Sequence, residues 1–144
     1  MILVSPGISV GDVRFGMSRA DVIEVLGHPK RTARMGDTKG YPRDGERWEY
    51  ENFSLLFAHP GSVVCVELER PAAPAILWQR DIFEIHEIDL IRLLLELKIS
   101  FDVEPNQWGE VEIHTREPYL SFFFQDAKLE SLEVSRGKLV SILR

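Results

Sequence analysis

The chain has 144 residues, of which 44% are hydrophobic and 28% charged, so it fits one globular domain and is not disordered as a whole. Its net charge of −6 argues against nonspecific binding to nucleic acid or to an anionic membrane and favours a basic partner. Nothing in it resembles a membrane helix or a signal peptide. We therefore expect a cytoplasmic protein, in which the single cysteine, Cys65, is a small structural thiol rather than a reactive one.

A short helix is predicted over 18–26. Ser18 is placed to cap its first turn and Asp21 stands three positions later, which is the S-x-x-D capping box. Gly27 then permits the chain to leave the helix, and Pro29 prevents its continuation. Both ends of this helix are thus defined by local chemistry.

The stretch 30–47 is predicted as a long loop. It contains three glycines, one proline and almost no apolar pattern. It also holds six Lys or Arg residues against three Asp or Glu residues, so its net charge is +3 and that of the remaining chain is −9. The sequence therefore predicts a basic loop on a strongly acidic body.

Six strands are predicted from alternating or continuous apolar residues bounded by turn residues. They are 48–51, 53–58, 63–69, 111–114, 120–124 and 129–134, and a second helix over 86–98 precedes the last three. A linker over 71–74 separates the two sets.

The two halves of the chain repeat the same order of elements. Phe15, Met17, Asp21 and Ile23 match Phe83, Ile85, Asp89 and Ile91 at an offset of 68 residues, and later pairs match at 67 and 66. Slowly drifting offsets are typical of a diverged duplication, and chance similarity of two α+β halves is the alternative. We predict an α+β fold in which two tandem helix-plus-antiparallel-strand units form one antiparallel sheet with the helices packed on one face. The chain would be a single domain, 1–144, with repeat-like halves of about 1–70 and 75–136.

The opening of the first half resembles a known family. Residues 15–22 are FGMSRADV and residues 25–29 are VLGHP. This is similar to the "G-M-[ST]-x-x-[DE]-V, then LG-x-P" opening of small bacterial domains, which include outer-membrane assembly lipoproteins and the tandem repeat of the beta-lactamase inhibitory protein. The resemblance implies a curved sheet that grips another protein. The chain lacks the lipobox cysteine and the cysteine pairs of those proteins, so neither a membrane anchor nor individual binding residues carry over.

No catalytic residue, metal site or cofactor is predicted. None of the four histidines has metal-ligand spacing on a shared helix face, although His114 alternates outward with Glu112. Nucleophile motifs, phosphate-binding glycine loops and dinucleotide fingerprints are absent. We therefore expect a protein that is not an enzyme.

Strand alternation predicts an acidic face on the side of the sheet away from the helices. Leu56 and Phe123 would emerge at its centre, and an apolar centre with a charged rim is typical of protein interfaces. Almost no Lys or Arg is expected on these positions. The predicted partner-binding residues are Glu49, Glu51, Leu56, Glu67, Glu69, Glu112, Phe123 and Glu133.

These features predict a protein-binding module, an inhibitor or immunity-type protein that masks a basic protein such as a toxin or effector. The alternative is a small-molecule-binding or substrate-processing protein that uses the basic loop 30–47 as a lid. RNA binding by that loop is a weaker option, because the loop lacks aromatic residues apart from Tyr41.

Overall fold

A computed structural model describes residues 1–36 and 41–137 of the chain. Within them the α-helices are α1 (Arg19–Leu26) and α2 (Glu87–Glu96), and a 3-10 helix spans Ile82–Glu84. The strands are β1 (Ile2–Ser5), β2 (Ser9–Val10), β3 (Val13–Arg14), β4 (Arg31–Arg34), β5 (Glu46–Glu49), β6 (Phe53–Ala58), β7 (Ser62–Glu69), β8 (Ala75–Leu77), β9 (Arg80–Asp81), β10 (Phe101–Pro105), β11 (Glu110–Thr115), β12 (Tyr119–Gln125) and β13 (Lys128–Ser135).

The predicted capping box starts α1. The Asp21 N–H donates to Ser18 Oγ (3.1 Å), and the Ser18 N–H donates to Asp21 Oδ2 (3.2 Å). Gly27 follows the helix with a φ of 80°, which favours glycine, so the predicted end is also confirmed. The second predicted helix is found as α2. Neither of these helices has the length and apolar character that crossing a membrane requires.

The six predicted strands are confirmed as β5, β6, β7, β11, β12 and β13, with bounds within two residues of the prediction. The predicted loop over 30–47 is wrong at 31–34, where β4 pairs with β5, and at 46–47, which belong to β5. All four residues of β4 are exposed, so this strand has no apolar alternation for the sequence to reveal. Residues 37–40 of the predicted loop lie outside the described residues.

Eight strands form one antiparallel sheet in the order β10-β11-β12-β13-β7-β6-β5-β4. β7 and β13 pair near its middle, where Glu67 lies opposite Glu133. The four strands that lie before residue 70 therefore join, through this β7–β13 pair, the four strands that lie after residue 100. The result is one continuous surface, with β4 and β10 as its edges.

The predicted fold of two helix-plus-strand units in one antiparallel sheet is wrong. The protein is mostly sheet, with 47% strand and 16% helix, and a second sheet lies outside the predicted scheme. That sheet has five strands in the order β3-β2-β1-β8-β9, and it is mixed because β1 and β8 are parallel. Its strands are only two to four residues long, too short to show alternation in the sequence.

The helices and the smaller sheet pack against one face of the large sheet, which we call the inner face. Its buried side chains belong to one core cluster that also contains residues of α1, α2, β1 and β8. Examples from the large sheet are Leu55, Phe57, Phe122 and Phe124, and examples from the other elements are Val4, Val22, Leu77, Leu90 and Leu94. The opposite side, the outer face, carries a separate small cluster and most of the polar side chains of these strands.

Candidate binding face

A row of polar side chains crosses the outer face from edge to edge. Each residue of this polar row lies opposite the next one on the neighbouring strand. From β4 to β10 the row is Arg31, Glu49, Ser54, Glu67, Glu133, Ser121, His114 and Asp102. Because directly opposed residues point to the same side of a sheet, these side chains form one continuous polar surface.

A second row, the acidic row, runs beside it from β7 to β10. It consists of Glu69, Ser131, Phe123, Glu112 and Glu104. Six of the eight predicted partner-binding residues lie in these two rows. They are Glu49, Glu67 and Glu133 in the polar row and Glu69, Glu112 and Phe123 in the acidic row.

The other two predicted residues do not belong to the exposed centre of this face. Leu56 lies on the outer face but is only 4% exposed, because Met35 and Tyr41 pack against its cluster. The expectation that Leu56 emerges from the acidic face is therefore wrong. Glu51 lies beyond the end of β5, where its Oε2 is 3.7 Å from Lys30 Nζ.

Arginine side chains neutralise the outer face at its β4–β7 end. Arg47 Nη1 is 3.3 Å from Glu67 Oε2, and Arg47 Nε is 3.5 Å from Glu49 Oε1. Arg31 Nε donates to Glu49 Oε2 (2.5 Å), and this bond lowers the pKa of the Glu49 carboxyl. The expectation that basic side chains are nearly absent from the face is wrong at this end.

The opposite end of the face keeps its negative charge. Among the described residues, no lysine or arginine pairs with its carboxylates, and the half-buried Phe123 lies between them. Two concavities of about 440 and 410 Å³ open beside it and share Glu130 and Ser131. We call this region the acidic end, and its residues are Glu69, Glu104, Glu112, Phe123, Glu130 and Ser131.

Two carboxyl groups oppose each other where the β7 and β13 strands meet. Glu67 has Arg47 as its ion-pair partner, whereas Glu133 has none among the described residues. Burial raises the pKa of the Glu133 carboxyl, and the negative charge of Glu67 raises it further. An ionised Glu133 therefore destabilises the folded protein.

Glu133→Gln is expected to stabilise the protein near neutral pH by about 0.5 to 1 kcal/mol, because it removes one of two directly opposed like charges. Because the pKa of Glu133 is raised in the folded state, the wild-type carboxylate destabilises the protein fully at pH values above this folded-state pKa. The destabilisation disappears as the pH falls below the unfolded-state pKa of about 4.3. Urea denaturation of the wild type and of Glu133→Gln, near neutral pH and at about pH 4, should show that their difference in stability is lost at the lower pH.

Glu69→Gln is the control for this pH dependence, since Glu69 is exposed on the same strand as Glu67. It should change stability little at either pH. A Glu133→Gln effect of equal size at both pH values would show that the carboxylate charge is not its cause.

A cavity of about 520 Å³ lies on the outer face beside β11–β13. Its lining includes the polar-row residues Asp102, His114, Ser121 and Glu133, and no residue of 30–47. Beneath Tyr41 the free space is only about 10 Å³, room for at most one water molecule. The described part of the predicted lid thus packs directly on the sheet, and nothing in the described residues favours its closing over a ligand.

Cys65 is buried in the small outer-face cluster. Burial raises the pKa of its thiol well above the ordinary value, and the nearby Glu133 carboxylate raises it further. Both effects disfavour the nucleophilic thiolate, so the geometry supports a packing role for this side chain.

Glu104 and Glu130 of the acidic end were not predicted from the sequence as binding residues. Glu104 lies in β10, a strand that was not predicted, although the alternation of Phe101 and Val103 with charged residues was a usable signal. Glu130 lies beside the register shift between β12 and β13, which no sequence pattern predicts.

Comparison with protein-family models, with curated proteins and with solved structures gave no match. The resemblance to the small bacterial domains therefore rests on residues 15–29 and stays a prediction. What points to a function is the geometry of the outer face.

Proposed function

We propose that the protein is a non-enzymatic binding module that masks a basic protein, as inhibitors and immunity-type proteins do, and that its acidic end is the contact surface. The observation that carries the proposal is the set of carboxylates around the half-buried Phe123 that have no lysine or arginine partner among the described residues. Lysine and arginine side chains of a partner would supply the missing opposite charges, while the ring would supply apolar contact.

The neutralised end of the outer face is less suited to this role. There Glu49 and Glu67 already pair with Arg47, so a partner's cations would have to displace an internal ion pair. Glu69 and Glu112 have no lysine or arginine partner to displace among the described residues. Of the residues predicted from the sequence, we therefore assign the larger share of binding to Glu69, Glu112 and Phe123.

Charge reversal at the acidic end is expected to weaken binding. The double variant Glu69→Lys/Glu112→Lys should lower the affinity for a partner isolated from the native host at least about tenfold, mainly through slower association. Surface plasmon resonance at low and high salt measures both effects. The salt dependence of the association rate should also become weaker.

Glu24→Lys/Glu96→Lys is the matched control, because it makes the same change in net charge. Both residues are exposed on the helices, which pack against the inner face. This variant should bind nearly as tightly as the wild type. Equal losses in both double variants would show that net charge alone drives binding, and unchanged binding in both would refute the proposal.

Small-molecule binding in the cavity of about 520 Å³ is a second candidate function. The volume is typical of ligand pockets, and polar groups of His114, Ser121 and Glu133 converge on it. We rank it second because Arg116 and Asp102, which also line the cavity, already pair with each other at 2.6 Å. Ser121→Trp would fill the cavity and should leave partner binding by the acidic end intact.

A further inference from the structure

We propose that His114, Glu112 and Glu104 form a binding site for a divalent transition-metal ion, with Zn²⁺ as the best fit. The site lies at the β10–β11 edge of the outer face. Glu104 is directly opposite Glu112 across these two strands, and His114 is two positions further along β11 on the same face. The antiparallel register thus brings three ligand side chains together.

The distances between the ligand atoms fit a zinc ion. His114 Nε2 is 3.5 Å from Glu112 Oε1 and 3.6 Å from Glu104 Oε2, and suitable ligand atoms of all three residues lie within 4.8 Å of one another. Zinc bonds of about 2.1 Å in a tetrahedral arrangement place ligand atoms about 3.4 Å apart. Small side-chain shifts are therefore enough to bind the ion.

The imidazole of His114 is already oriented for this role. Its Nδ1 is hydrogen-bonded to Ser121 Oγ at 2.7 Å, which leaves Nε2 facing the two carboxylates. Phe123 packs edge-on against the ring, with centroids 6.1 Å apart and planes at 83°. A hydrogen bond to the second nitrogen is what usually fixes the tautomer of a metal-binding histidine.

The electrostatics of the site also favour a cation. Glu104 and Glu112 are like charges in direct opposition, and no lysine or arginine of the described residues pairs with either one. A ligand set of one imidazole and two carboxylates suits zinc better than Mg²⁺ or Ca²⁺, which prefer oxygen alone. The partial exposure of all three side chains gives the ion access from solvent and leaves a coordination position for water.

Isothermal titration of the untagged protein with ZnCl₂ tests the site directly. We expect one ion per chain with micromolar affinity and no competition from Mg²⁺. His114→Ala should abolish this binding, and Glu112→Gln should weaken it at least about tenfold. Ser121→Ala should weaken it about tenfold through loss of the imidazole's orientation, while His86→Ala, at an exposed position before α2, should have no effect.

Imidazole ¹⁵N NMR identifies the ligand atom in the same samples. Zinc should shift the Nε2 resonance of His114, with smaller changes at His86. The proposal is overturned if the wild type shows no stoichiometric binding, if the folded His114→Ala or Glu112→Gln variant binds as tightly as the wild type, or if His114 stays unshifted. Because these measurements use the protein without its partner, their failure would leave the proposed masking function standing.

Discussion

Phe122→Ala should destabilise the protein by about 4 kcal/mol, the loss expected when a fully buried phenylalanine is truncated. Phe122 is 0% exposed on the inner face of β12, and its ring lies 6.4 Å from that of Trp78. Removing the ring therefore leaves a cavity between the large sheet and the elements that cover it. Urea denaturation followed by circular dichroism measures the change in the free energy of unfolding.

Phe123→Ala is the matched control, because it makes the same truncation one residue later on the other face. Phe123 is half-buried, so we expect a loss of only about 1 kcal/mol. This variant should fold but bind the partner more weakly, since it removes the ring of the acidic end. Equal destabilisation by the two variants would contradict the assignment of inner and outer faces.

Arg47→Met should have the second largest effect on stability. We expect it to lower the free energy of unfolding by about 2 kcal/mol, which lies between the costs of breaking an exposed and a buried ion pair. The Arg47 and Glu67 side chains are 22% and 25% exposed. Without the guanidinium, Glu67 faces Glu133, and no other lysine or arginine of the described residues pairs with it. Thermal and urea denaturation near neutral pH measure the loss.

Arg31→Met separates this effect from the general removal of a surface charge. The Arg31 side chain is 73% exposed, so its loss should change stability only slightly. Adding Glu67→Gln to Arg47→Met should restore part of the lost stability, because the unpaired carboxylate is then gone. If the double variant is no more stable than Arg47→Met, repulsion between Glu67 and Glu133 is not the cause.

The sequence predicts the parts of this fold that have strong local patterns. β6 has the predicted bounds because a mostly apolar run over 53–58 is followed by the turn residues of 59–61. The helix α1 is specified by Ser18 and Asp21 at its start. By contrast, β1 pairs with β8 more than 70 residues away, and such short, distant pairings leave no periodic signal.

The candidate site shows the same division between local and long-range information. Alternation within single strands placed Glu67, Glu69 and Glu112 on one face. The neutralising role of Arg47 was missed because the predicted strand begins at Trp48, whereas β5 begins at Glu46. A shift of two residues at a strand end, together with the register between strands, decides whether a face is acidic or internally paired.

Carboxyl-selective chemical labelling of the complex with its partner, read out by mass spectrometry, tests the central claim most directly. A basic protein that covers the acidic end should protect Glu69, Glu112 and Glu130 from labelling several-fold, while the exposed Glu24 and Glu96 on the helices keep their reactivity. Protection confined to Glu24 and Glu96, or unchanged reactivity at the acidic end, would contradict the proposed function.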